Sequence, residues 1–181
     1  MSTTELDTLR DSAVVVIDLA NDFVYPGGVI ADAGGPEYQR RAQAIIPQLR
    51  RLLEAARRAG IPVVYATDAH EPGDVVLEKR TYSPFVGSEI DSLLTARGIK
   101  RLYITGLHTD CCARHTSGDA FQRGYDLVWV TDALQAFTEE AHRQGLDYFK
   151  TWYATAPDRQ LRTVDELVAE WDAARRAREA A

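Results

Sequence analysis

Ser12 to Leu19 reads SAVVVIDL, an unbroken β-branched run of the kind that forms a strand buried on both faces. A Gly/Pro-rich stretch, Tyr25 to Pro36, reads as a loop. From Glu37 to Ala59 the apolar positions Ala42, Ile45, Ile46, Leu49, Leu52, Leu53 and Ala56 recur at helical spacing, and Gly60 supplies the stop. A second buried strand is expected at Val63 to Thr67, a short one at Val75 to Leu77, and a helix from about Ser88 to Arg97, closed by Gly98. RLYIT (Arg101 to Thr105) and LVWVT (Leu127 to Thr131) read as further buried strands. They flank a helix from about Cys112 to Arg123, stopped by Gly124. Thr138 to Tyr153 is amphipathic and opens with a Thr and two acids, which suit a helix N-terminus. Thr163 to Ala181 is helical in pattern.

Strands alternating with helices predict an α/β fold: a single doubly wound domain over residues 1–181, its mostly parallel central sheet covered by helices on both faces. Ligands of such sheets bind beyond the carboxyl ends of the strands. The places to search are therefore after Ile17, after Thr67, around Lys79 and after Thr105.

Composition narrows the classes. A chain of 181 residues, 45% hydrophobic and 27% charged, can bury a core without disulfides. A net charge of −6 and the lack of a basic tract argue against nucleic acid as a partner. No apolar run approaches a membrane span, and the polar start MSTTELDTLRD carries no export signal, so the expected location is the cytoplasm. The two cysteines, Cys111 and Cys112, are adjacent, and the question they raise is one of reactivity.

Asp18 ends the first strand, where a carboxylate is costly unless partnered; it either serves chemistry or caps a turn with Asn21 or Asp22. Lys79 follows the short strand and is either buried against a carboxylate or part of a surface pair. Cys112 falls at a strand–turn–helix junction, where the helix dipole favours a thiolate and free N–H groups can hold an oxyanion. The bland alternative is a packed core cysteine. Together the three suggest a carboxylate–amine–thiol set: Asp18 takes and returns the thiol proton, Lys79 keeps it ionised, and Cys112 is the nucleophile. Asp68 and His70 lie on alternate positions and point one way, so they are candidate metal ligands or a hydrogen-bonded loop pair. Phe23, Tyr82, Phe85 and Phe137 are candidate walls of a substrate pocket, or core. His108 is a candidate pocket residue; His115 and His142 read as structural.

Three ordered blocks, VVVIDLANDFV, EKRTYSPF and ITGLHTDCCARHTSGDAFQRGYDLVWVTDA, resemble the isochorismatase-like cysteine hydrolases, a superfamily that includes nicotinamidases and other amidohydrolases. The resemblance runs from about Ser12 to Tyr153. It implies the catalytic residues Asp18, Lys79 and Cys112, selecting Cys112 over Cys111. It also implies a cis peptide at Leu107-His108 and an oxyanion hole built from the backbone N–H groups of His108 and Cys112. Cleavage of an amide or ureido C–N bond of a small molecule through a thioester is the implied activity. A vinyl-ether hydrolase of the isochorismatase type and a non-catalytic redox or partner-binding protein are the alternatives. The triad chemistry requires no cofactor. Nicotinamidase-like members hold zinc or a similar ion through Asp-x-His and a later His; Asp68 and His70 match the first two, and the short Glu71 to Glu78 segment lacks the third. A homo-oligomer, dimer or tetramer, is also implied; in the sequence itself Trp152, Tyr153 and Trp171 are candidates either for an interface or for packing on the domain's own sheet.

Overall fold

A computed structural model describes residues 7–66 and 75–180. The described chain runs β1 (Ser12–Ile17), α1 (Asn21–Val24), α2 (Val29–Ala44), α3 (Ile46–Ala59), β2 (Val63–Ala66), β3 (Val75–Val76), α4 (Ile90–Ala96), β4 (Arg101–Leu107), α5 (Cys112–Gln122), β5 (Asp126–Gln135), α6 (Glu139–Trp152), α7 (Pro157–Gln160), β6 (Leu161–Arg162) and α8 (Val164–Glu179). The strands form one sheet in the order β3-β2-β1-β4-β5-β6, and every pairing is parallel. This is the doubly wound α/β fold expected from the alternation of strands and helices.

Residues of β1 divide between the two faces by their period of two. Val14 and Val16 join Leu49, Leu52 and Leu53 of α3 and Leu167 and Trp171 of α8 in one core. Ala13, Val15 and Ile17 join Leu94 of α4, Ala113 and Ala120 of α5 and Phe149 of α6 in the other. A smaller cluster sets Tyr38 and Ala42 of α2 against Leu107 at the end of β4. With all six β1 residues buried, this strand has no solvent-facing side, which is why it reads as a continuous apolar run.

Several boundaries differ from the sequence expectation. The helix expected over Glu37–Ala59 is two helices, because Pro47 has no N–H to continue a ladder and sits in the first turn of α3. Half of the expected loop at Tyr25–Pro36 is helical: α2 starts at Val29 and kinks at Gly35 (φ 75°, ψ 180°), after which Pro36 restarts it. Helix α4 starts at Ile90, where Ser88 Oγ accepts from the Ile90 N–H at 3.2 Å. β5 runs on to Gln135 through an irregularity: Ile104 pairs with Trp129, but Gly106 pairs with Leu134. That extension brings the Gln135 carbonyl to the N–H of Thr109 (3.0 Å), anchoring the turn that precedes α5.

The sheet order changes direction between β1 and β4: the chain fills the β2, β3 side first and then returns for β5 and β6. A crevice opens at such a switch point, beyond the carboxyl ends of the two strands. Close approach there depends on Gly106 (φ 101°), paired with Ile17. A Cβ on it would lie 2.0 Å from the Ile17 carbonyl oxygen, so no other residue fits.

Candidate active site

Asp18 is the first residue past β1 and has φ 50°, alone among the described non-glycine residues in the left-handed region. Asp tolerates this conformation better than most residues, and strain of this kind concentrates at functional sites. Asp18 is 5% exposed. Lys79 Nζ lies 2.8 Å from its Oδ2, with both side chains buried. The ammonium donates to the Thr81 carbonyl at 2.9 Å and toward Cys112 Sγ at 3.8 Å. The contact with Asp18 is thus an ion pair by distance without hydrogen-bond geometry, and Oδ2 is buried with no hydrogen-bond partner among the described residues. A carboxylate held this way faces the ammonium and the thiol together.

The third group arrives from β4. Past Leu107 the Leu107-His108 peptide is cis, and Thr109 to Cys111 form a turn that leads into α5 at Cys112. The turn is fixed from several sides. The N–H groups of Cys111 and Ala113 both reach the His108 carbonyl at 3.1 Å, and Thr109 Oγ1 lies 2.8 Å from His142 Nδ1. Helix α6 comes close enough that a Cβ on Gly145 would crowd Thr109 and Asp110. Among the described residues, the backbone N–H groups of His108 and Cys112 have no backbone acceptor.

The electrostatics favour a neutral thiol over a resting thiolate. Burial pushes the Cys112 thiol well above its ordinary range, the Asp18 charge adds to this, and Lys79 opposes it. Burial and the adjacent carboxylate act against the helix N-terminus, which favours the thiolate. Burial also raises the Asp18 pKa, against the lowering effects of Cys112 and Lys79. Burial and then the Lys79 charge hold His108 down at about 4. It is neutral at pH 7.

A cleft of about 970 Å³ opens over these groups. Asp18, Lys79, His108, Cys111 and Cys112 line it, as do Phe23, Tyr82 and Phe137. Phe85 does not: it is 7% exposed, packed in the core against the Tyr125 ring (5.9 Å), with the Arg123 guanidinium 5.0 Å over its face. Asp68 and His70 lie outside the described residues, as do Glu71 and Asp74. Among the described residues no three His, Cys, Asp or Glu side chains gather in a way that could hold a metal ion. His142 serves structure through Thr109. His115 is exposed, its Nδ1 2.8 Å from the Cys111 carbonyl oxygen. Trp171 packs edge-on to Tyr103 in the core, whereas Trp152 is 65% exposed. Sequence reasoning missed Tyr38, which is 1% exposed and has its hydroxyl 2.7 Å from His108 Nε2. No pattern in the sequence links two residues seventy positions apart.

The isochorismatase domain model matches residues 12–73 and 69–159. A ureidoacrylate amidohydrolase of Azorhizobium caulinodans is 26% identical over 204 residues, covering 83% of this chain and 89% of that one. Among solved structures, an isochorismatase-like hydrolase from Alkaliphilus metalliredigens superposes with TM-score 0.75 at 26% identity, covering 89% of this chain and 99% of that one. An N-carbamoylsarcosine amidase from Thermoplasma acidophilum superposes with TM-score 0.68 at 28% identity, covering 86% and 97%. No helix among the described residues is long and apolar enough to cross a membrane.

Proposed function

The chain belongs to the isochorismatase domain family, and from that premise we propose that it is a cysteine hydrolase cleaving the C–N bond of a small amide or ureide, with Asp18, Lys79 and Cys112 as its catalytic residues. The observation that carries the reading is the buried Asp18 carboxylate, its Oδ2 2.8 Å from Lys79 Nζ, interacting with the buried Cys112 thiol.

As substrate enters, Cys112 Sγ attacks the carbonyl carbon while its proton passes to Asp18. The raised pKa values of both groups make this transfer coherent. Part of what holds the thiol neutral is the Asp18 charge, and that charge vanishes when Asp18 takes the proton. The new thiolate then faces only the Lys79 ammonium, 3.8 Å away. The tetrahedral oxyanion is held by the N–H groups of His108 and Cys112. Asp18 returns the proton to the departing nitrogen, ammonia or an amine leaves, and a thioester on Cys112 remains. A water molecule, deprotonated by Asp18, then hydrolyses the thioester. Isochorismatase-family cysteine hydrolases need no cofactor for these steps. A metal held by Asp68 and His70 and a homo-oligomeric assembly are separate proposals, which metal analysis of the purified protein and light scattering test.

The functional test is ammonia release from a panel of primary amides and ureides by the wild type and by Cys112→Ala. Turnover confined to the wild type is expected. Equal turnover in both, or hydrolysis of a vinyl ether with no amide turned over, would overturn the reading.

A further inference from the structure

One wall of the cleft is aromatic, and one of its rings carries nitrogen. His108 stacks on Phe137 with centroids 4.3 Å apart and an interplanar angle of 18°, and its Nε2 lies 2.7 Å from the Tyr38 hydroxyl. Among the described residues that buried hydroxyl has no other hydrogen-bond partner. If Nε2 carried the ring proton, the hydroxyl hydrogen would be sealed in the core with nothing to bond, which folded proteins avoid. The hydroxyl therefore donates, Nε2 accepts, and the neutral ring holds its proton on Nδ1. Nδ1 has no partner among the described residues, and it is not one of the polar atoms buried without a partner. His108 lines the cavity, and Nδ1 is the ring nitrogen that Tyr38 does not engage.

We infer that the His108 side chain is a specificity-determining donor, its Nδ1–H held toward the cavity by Tyr38, and that it selects an uncharged amide whose acyl group carries a second hydrogen-bond acceptor. The inference rests on the amidohydrolase reading above. The charges lining the cleft disfavour an anionic acyl group. Among the described lining residues Lys79 is engaged by Asp18, Arg80 pairs with Glu78 at the exposed rim (Nε to Oε1, 3.1 Å), and Asp22 adds a further negative charge. A neutral N–H amid those groups suits a carbonyl or ring nitrogen and leaves a carboxylate without a counter-charge. Stacking on Phe137 holds the imidazole plane, so the donor is fixed in direction before substrate arrives.

Three probes of similar shape separate the terms: acetoacetamide, with a neutral acceptor; 3-methylbut-3-enamide, with a methylene in place of the ketone oxygen; and malonamate, with a carboxylate. Ammonia release is expected to give acetoacetamide a kcat/KM about tenfold above the enamide, the size of one hydrogen bond, and also above malonamate. In His108→Phe, which keeps a ring on Phe137, the acetoacetamide-to-enamide ratio should collapse toward one. His108→Asn, whose amide reaches the Nδ1 position, should restore most of it. Tyr38→Phe frees the tautomer and should narrow the ratio about threefold. Nitrogen-15 NMR of histidine-labelled wild type reads the tautomer without any turnover, and Nδ1 should be the protonated atom. A proton on Nε2, a ratio unchanged in His108→Phe, or a preference for malonamate overturns the inference while leaving the amidohydrolase reading intact. Failure of the wild type to hydrolyse any amide or ureide overturns that reading and the substrate class with it, and the tautomer then decides the donor alone.

Discussion

At the amino ends of β4 and β5, Arg101 Nε lies 2.6 Å from Asp126 Oδ2, with the two side chains 24% and 31% exposed. At the carboxyl end of β1, Lys79 Nζ lies 2.8 Å from Asp18 Oδ2, with the side chains 8% and 7% exposed. The outer pair is finished: Arg101 donates to Asp126, and Gln160 Nε2 reaches the other carboxylate oxygen at 3.3 Å. The inner pair is not: among the described residues Oδ2 of Asp18 has no partner in full hydrogen-bond geometry, and its residue sits at φ 50°. Ion pairs of similar length thus do different work at the two ends of one sheet. Where both carboxylate oxygens accept a hydrogen bond and water is near, the pair contributes a little stability. Where water is excluded and bonding is incomplete, the cost of burial is retained as basicity at Asp18.

The largest expected effect comes from removing the inner carboxylate without changing its shape. Asp18→Asn should lower kcat/KM by about 10³–10⁴-fold, since it deletes the base and leaves Lys79 facing a thiol it cannot deprotonate alone. Steady-state ammonia release measures this, and circular dichroism checks the fold. A loss of less than tenfold would place the base elsewhere. Lys79→Met comes next: breaking a buried pair by removing one partner costs about 3 kcal/mol, reduced as Asp18 takes up a proton. Activity should fall about a hundredfold, and its acid limb should move to higher pH.

The pH dependence of stability sharpens the contrast through its sign. Cys112 has a folded pKa above its unfolded value of 9.0. Above pH 9 the unfolded chain therefore loses this proton while the folded one keeps it, and stability falls as pH rises, at up to about 1.4 kcal/mol per pH unit. Denaturant melts from pH 8 to 11 should show that slope in the wild type and a shallower one in Cys112→Ala. Asp18, raised above 3.8, works in the same direction in the acid range, costing stability as pH rises from 3.8 through its folded value. The smallest effect belongs to the outer pair. Arg101→Met should cost less than about 1 kcal/mol in chemical melts and change kcat/KM by less than twofold.

The sheet and the site were legible to different degrees, for physical reasons. Strands buried on both faces appear as apolar runs, so β1, β2, β4 and β5 could be read directly, and the strand-end rule led to Asp18 and Cys112. β6 has two residues and α7 four, too short for any period to register. Phe85, a candidate pocket wall or core residue because it stands beside the motif, belongs to the core. The bend around Ser83 and Pro84 sends the two rings apart, one to the cleft and one to the core. Tyr38 was hidden for a different reason: it falls within the helix expected from Glu37, but nothing in the sequence ties that helix to the turn after β4, seventy residues on.

The most direct test of the account is intact-protein mass spectrometry on acid-quenched reactions with a turned-over amide, followed by peptide mapping. The account predicts a transient acyl adduct of the mass of the substrate less ammonia or amine, carried by Cys112, present in Cys111→Ala and absent from Cys112→Ala. An enzyme that releases ammonia rapidly with no adduct at any quench time, and keeps doing so in Cys112→Ala, would contradict it.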